Sequence, residues 1–221
     1  MLQEFAHRVM VLYGELDRQV AVFSAASGLH CPQGCGDCCR SEKVEATVLE
    51  MLPLAFHLFR TSQAELLVKR LEKDPEVKQC LLYRADFCLQ GMWGCSQYLH
   101  RGLVCRLFGF AGNRDRTGKP QLARCRVMKS VEGPVVEEHL PVGMMPLFSE
   151  AGMRITTLNP TLGTDRLPIN RAILYSLYKV GIYLDMKHMK YAEHPDGSTD
   201  KPTSPPSKPF FPSSAAPRRA A

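Results

Sequence analysis

The 221-residue sequence has no apolar run approaching the ~18 residues that a membrane-spanning helix requires. Near its start, Glu4, Glu15, Asp17 and Arg18 interrupt the stretch where a secretory leader needs an unbroken apolar core. These two absences predict a cytoplasmic protein without a membrane partner. There is also no Gly-rich phosphate loop, nucleophile elbow or His-Glu-x-x-His pair, so no familiar catalytic constellation is present and no catalytic residue is named. The seven histidines do not cluster. His30, beside Cys31, and His100 are read as neighbours of a site rather than ligands, and His57 as a core or boundary residue. The pair Glu137-Glu138 lacks a partner that would mark acid–base work and is read as a solvated surface. No cysteine follows residue 125.

Cysteine elsewhere is abundant. Cys31, Cys35, Cys38 and Cys39 place four sulfurs within nine residues, and Cys80, Cys88, Cys95, Cys105 and Cys125 follow. In a reducing compartment such a density points to metal ligands rather than disulfides, and the odd count of nine would leave one thiol unpaired. The formal charge of +6 counts every thiol as neutral. Four thiolates on one zinc ion carry a net charge of about −2, so two such sites remove most of the excess. The basic balance therefore gives little support to a nucleic-acid partner.

A thiolate, not a thiol, binds metal, so clustered cysteines need groups that stabilise negative charge. Gly34 and Gly36 let the backbone of residues 31–39 turn N–H groups toward sulfur, and a helix starting near Cys38 would add its positive end. The two-residue gap from Cys35 to Cys38 lets both sulfurs reach one ion. The adjacent side chains of Cys38 and Cys39 diverge by about 100° in a helix, which predicts that they serve different metals or different irons of a cluster.

Around this centre the chain divides into four stretches. Residues 1–30 carry an amphipathic helix from 2 to 24, with Phe5, Val9, Leu12, Tyr13, Leu16, Val20 and Phe23 at three- and four-residue spacing. Its apolar face predicts core packing, with dimerisation as the alternative. Residues 31–130 form the cysteine-rich core. Within it Val44 to Ala46 reads as a short strand. Thr47 and Glu50 have capping-box spacing for a helix that Pro53 would kink or delay, and Ser62 with Glu65 repeats that spacing for a helix to Lys73. Ser96 reads as the cap of a short helix to His100. Phe108 to Phe110 and Leu122 to Val127, flanking a turn with Gly118, predict a hairpin with Cys125 on its second strand. Residues 131–192 read as helical, with one helix near 141–152 and another starting at Pro168 and facing inward through Ile169, Ile173, Leu177 and Val180. Residues 193–221, rich in Pro and Ser, have the composition of a disordered tail.

The second cysteine group runs Cys88-x6-Cys95-x2-Tyr98-x2-Arg101-Gly102-x2-Cys105-Arg106. Together with Cys31-x3-Cys35-x2-Cys38-Cys39 it resembles the YkgJ-type cysteine-cluster family, whose members are described as zinc- or iron-chelating domains. The resemblance covers roughly residues 31–126. It departs at Gly102, where the family usually has proline. A similar signature occurs in the flagellin lysine N-methylase, which is associated with an iron–sulfur cluster. The resemblance implies Cys31, Cys35, Cys38, Cys39, Cys88, Cys95 and Cys105 as metal ligands. Cys125 is added as an eighth from its predicted strand, enough for two four-coordinate sites. Cys80 fits no motif and is assigned to the core. Arg101 and Arg106 would neutralise an anionic metal–thiolate centre or donate hydrogen bonds to its sulfurs, and Tyr98 would pack against it.

The expected fold is a small, irregular, cysteine-rich α+β domain with flanking amphipathic helices and a short hairpin. Its expected function is to hold zinc or iron, the iron as an ion or as a 4Fe-4S cluster. Two alternatives accompany it: an iron–sulfur protein in redox or protein-methylation chemistry, and a zinc-stapled module for a protein partner that the sequence does not name.

Overall fold

The computed structural model describes residues 1–132 and 141–192. Glu137-Glu138 and the tail from residue 193 lie outside the described residues.

Helix α1 (Leu2–Ser27) follows the apolar stripe seen in the sequence. Ala6, Val9, Leu12, Tyr13, Leu16 and Phe23 are buried within the same chain, so the stripe serves core packing. Gly28, at φ 71°, ends the helix in the left-handed conformation that glycine adopts without a Cβ penalty. Strand β1 (Glu45–Ala46) leads into helix α2 (Val48–Arg60). The predicted capping box forms: Glu50 N donates to Thr47 Oγ1 (3.2 Å) and Thr47 N to Glu50 Oε1 (3.0 Å). Pro53 lies inside α2 and does not delay its start, because the cap already fixes the first turn.

Helix α3 (Ala64–Lys73) starts without the predicted Ser62 cap. Ser62 instead takes φ 57° in the turn that closes α2, while Gln63 N donates to Leu58 O (2.8 Å). Glu65 is left to pair with Lys69 across one helical turn.

Short elements then follow: α4 (Ala85–Leu89), a 3-10 turn at Tyr98–His100 and α5 (Leu103–Leu107). The hairpin is real but sits further inward than predicted, pairing β2 (Gly112–Arg114) with β3 (Pro120–Leu122). Asp115 closes its turn by accepting from Thr117 N and Lys119 N. Cys125 thus lies beyond the strand, just before α6 (Arg126–Glu132). It caps the start of that helix instead: Met128 N donates to Cys125 Sγ (3.3 Å).

The helix expected near 141–152 is a 3-10 turn at Val142–Met144 followed by α7 (Phe148–Leu158). Helix α8 (Pro160–Gly163) is one turn, capped by Asn159. Strand β4 (Leu167–Pro168) pairs antiparallel with β1 and delivers the chain into α9 (Ile169–Ala192).

Met1–Tyr183 form one compact unit, a helical body with two small two-stranded sheets, which is an α+β domain. The chain from Leu184 onward is a second unit, described only through the last turns of α9. In the first unit α1 packs along α2, and Gly181 of α9 lies against the Phe59 ring. A second apolar cluster joins Phe23, Leu29, Met128, Met145 and Leu147 where α1 and α6 approach each other. No helix among the described residues is long and apolar enough to cross a membrane.

Candidate metal centre

The first cysteine loop folds on itself through short turns. Cys35 N donates to Pro32 O (3.1 Å) and Cys39 N to Gly36 O (3.0 Å). Gly34 takes φ 70°, and a Cβ there would lie 2.8 Å from Cys88 O. Residues 37–40 form a single 3-10 turn in place of the predicted longer helix, so no helix dipole supports Cys38 and Cys39. One glycine of this loop and one of the turn at 88–94 cannot be replaced without a clash: a Cβ on Gly36 would lie 2.6 Å from Cys88 Sγ, and one on Gly94 would lie 2.9 Å from the same sulfur. The backbone of residues 34–36 is therefore pressed against the turn at 88–94.

That second segment is ordered by pairing with residues 82–84. Arg84 N donates to Gly94 O (2.8 Å) and Ser96 N to Leu82 O (2.9 Å), bridging Tyr83 to Cys95. Tyr83 N donates to Cys80 O (3.0 Å), which carries Cys80 to the same edge. Buried Asn170 of α9 fixes the approach by donating to Val77 O and Gln79 O and accepting from Leu81 N.

All nine cysteines are free and partly buried. Several of them influence one another electrostatically. Burial, then Cys35 and Cys38, pushes the Cys31 thiol up, with Cys125 adding to it. Cys39 hydrogen-bonds to Cys38, holding Cys38 down to about 7 and driving Cys39 up. Burial raises Cys95 and Cys105, and Cys105 also feels Cys80, Cys95 and Cys38. Burial pushes Cys80 up to about 12, with Cys95 contributing. Cys80, expected in the core, is partly buried, and its thiol and those of Cys95 and Cys105 act on one another. Its position was not legible from motif spacing; the signal that could have found it is its place on the strand-like segment paired with Cys95. Cys88 lies against Gly36 of the first cysteine loop and against Gly94, and is hydrogen-bonded with Tyr83, on which Cys39 also acts.

Both predicted arginines lie beside this group, held by Asp17 of α1. Arg106, nearly fully buried, uses all three nitrogens: Nε donates to Arg101 O (3.0 Å), Nη1 to Asp17 and Nη2 to Leu99 O. Its guanidinium also lies over the Tyr13 ring (4.1 Å). Arg101 donates to Tyr98 O (2.9 Å) and Asp17 (3.2 Å) and lies over the Tyr98 ring (3.9 Å). Tyr98 stacks on Trp93, so the predicted packing role for Tyr98 has an aromatic partner. Gly102 takes φ −67°, a value proline also adopts, while a Cβ there would lie 2.8 Å from the Met51 methyl group. Leu103 N, at the start of α5, donates to the buried carboxylate of Glu50 (2.7 Å), tying the helix that carries Cys105 to α2.

His30 faces solvent and contacts Gly28 O (3.3 Å). His57 stacks on His100 at 4.3 Å between ring centroids. Among the described residues, no three His, Cys, Asp or Glu side chains converge closely enough to hold a metal ion. The donor set nonetheless fits a thiophilic metal: the sulfurs are free, neighbouring and supported by two arginines.

The fold and this site define a cysteine-rich α+β domain. Residues 30–126 match the model of the CxxCxxCC family, described as a putative zinc- or iron-chelating domain. The match supports a general metal-binding role. No curated protein and no solved structure matches the chain.

Proposed function

We propose that this protein holds zinc or iron through two neighbouring groups of thiolates. Cys31, Cys35, Cys38 and Cys125 form one group, and Cys39, Cys80, Cys95 and Cys105 the other. The observation that supports this reading is the contact that presses residues 34–36 of the first cysteine loop against the turn at 88–94, with the thiols of the two segments acting on one another across it. The adjacent Cys38 and Cys39 supply one ligand to each. In this reading Cys80 takes the place that motif spacing gave to Cys88, because Cys80 acts on Cys105 and is itself acted on by Cys95. Arg101 and Arg106 offset the anionic charge. Sites closed by four thiolates suit a structural or electron-transfer role rather than one that needs an open coordination position. Metal binding draws the thiols together and so contributes to folding.

The test is anaerobic purification with elemental analysis and a visible spectrum. Stoichiometric zinc in a colourless protein identifies zinc sites. A brown protein with iron and sulfide identifies a cluster and opens redox or methyl-transfer chemistry. Cys80→Ser lowers the metal content, whereas Cys88→Ser leaves it near wild type. Absence of bound metal in the anaerobically prepared full chain overturns the proposal, and a loss confined to Cys88→Ser restores the motif-based ligand set.

A further inference from the structure

We propose that Arg101 is the positioning residue of the metal–thiolate centre, donating from Nε–H to a thiolate sulfur of Cys95 or Cys105, while Arg106 braces it. This rests on the metal-binding reading above. The two arginines look equivalent in the motif, and the structure separates them. Every guanidinium nitrogen of Arg106 already has an oxygen acceptor, and Arg106 Nε itself grips the Arg101 carbonyl. Arg106 therefore fixes the backbone of its neighbour and has no donor nitrogen left uncommitted.

Arg101 differs at one atom. Nη1 and Nη2 are committed to Tyr98 O and Asp17, and the plane is held against the Tyr98 ring. Nε is buried and has no acceptor among the described residues. A buried, charged N–H without an acceptor is costly, so its persistence in a side chain only 12% exposed points to an acceptor supplied when the site is loaded. Arg101 lies between Cys95 and Cys105 in the chain, and its positive charge acts on both sulfurs. A metal-bound thiolate is a strong acceptor for such a donor, and sulfur hydrogen bonds tune metal affinity and potential. Lysine carries the same charge but cannot place an N–H at the Nε position with the rest of the fork anchored.

The experiment loads the full chain with Co²⁺ under anaerobic conditions and compares wild type, Arg101→Lys and Arg106→Lys. Loss of an N–H···S bond raises the energy of the sulfur lone pair and moves the sulfur-to-cobalt charge-transfer band to longer wavelength. Arg101→Lys should show that shift and bind Co²⁺ about 10-fold more weakly. Arg106→Lys should lower thermal stability with a smaller band shift. A general structural defect would not selectively move the band in Arg101→Lys. An Arg101→Lys protein with the wild-type band and affinity overturns the proposal. Should that variant fail to fold, ¹⁵N-arginine-labelled wild type gives the answer. The Arg101 Nε–Hε signal, assigned through its own side chain, moves downfield on loading with Cd²⁺. An unmoved signal in Cd²⁺-loaded protein overturns the assignment. A wild-type chain that takes up neither ion instead overturns the metal-binding reading itself.

Discussion

Replacing Glu50 tests the joint between the helical body and the helix that carries Cys105. Its carboxylate is fully buried and accepts from two backbone donors, Thr47 N (3.0 Å) and Leu103 N (2.7 Å). Glu50→Ala leaves both N–H groups buried without an acceptor, at about 1–3 kcal/mol each, for a combined loss of about 2–6 kcal/mol. Glu50→Gln keeps one acceptor oxygen and should lose about half as much. Urea unfolding at pH 7, followed by far-UV circular dichroism and by the fluorescence of the single tryptophan, Trp93, reads body and cysteine region separately. Both probes should shift together, because Leu103 transmits the defect to α5. Burial also raises the Glu50 carboxyl above its usual value. A raised folded-state pKa favours the folded state below the unfolded value, and this contribution is lost as pH rises through the folded value. Relative to Glu50→Gln, wild type should therefore gain stability on acidification through about pH 4.5 and just above it. A Glu50→Ala protein within ~0.5 kcal/mol of wild type would refute the reasoning, since two orphaned donors cannot cost so little.

Other outcomes follow from the same structure. Gly36→Ala should lose about 1–3 kcal/mol in urea unfolding because its methyl group meets Cys88 Sγ at 2.6 Å, whereas Gly14→Ala, mid-helix with nothing within 4 Å, should gain about 0.5–1 kcal/mol. Burial and the charge of His57 hold His100 down to about 4. Its contribution is present above the unfolded value of about 6.5 and falls away as pH drops toward about 4, by up to about 3 kcal/mol; pH-dependent unfolding of His100→Gln should lack that component. Treating the metal-loaded protein with a strong chelator should lower its unfolding midpoint, measured by thermal circular dichroism, and re-addition of the metal should restore it. An unchanged midpoint after confirmed metal loss would separate the metal from folding.

Local physics made α1, the Thr47–Glu50 cap and the hairpin composition readable in the sequence. Their signals lie within one helical turn or one β-turn, where neighbouring residues choose the backbone. The same locality misled at Ser62 and at Cys125. Ser62 has cap spacing, but closing α2 puts it at φ 57°. Cys125 follows a strand-like run, yet the paired register ends at Leu122 and its sulfur accepts from Met128 N.

The sequence by itself determined that this is a cysteine-rich domain whose sulfurs suit metal, because residue type and tight spacing suffice for that chemistry. Only the tertiary structure decided the company each sulfur keeps. Antiparallel pairing of β1 with β4 joins segments more than a hundred residues apart and sets α9, whose Asn170 fixes the approach to Cys80. Asp17, in the first helix, selects the arginines that flank Cys105. Such partners are chosen by packing after the chain closes long loops, so no local pattern carries them.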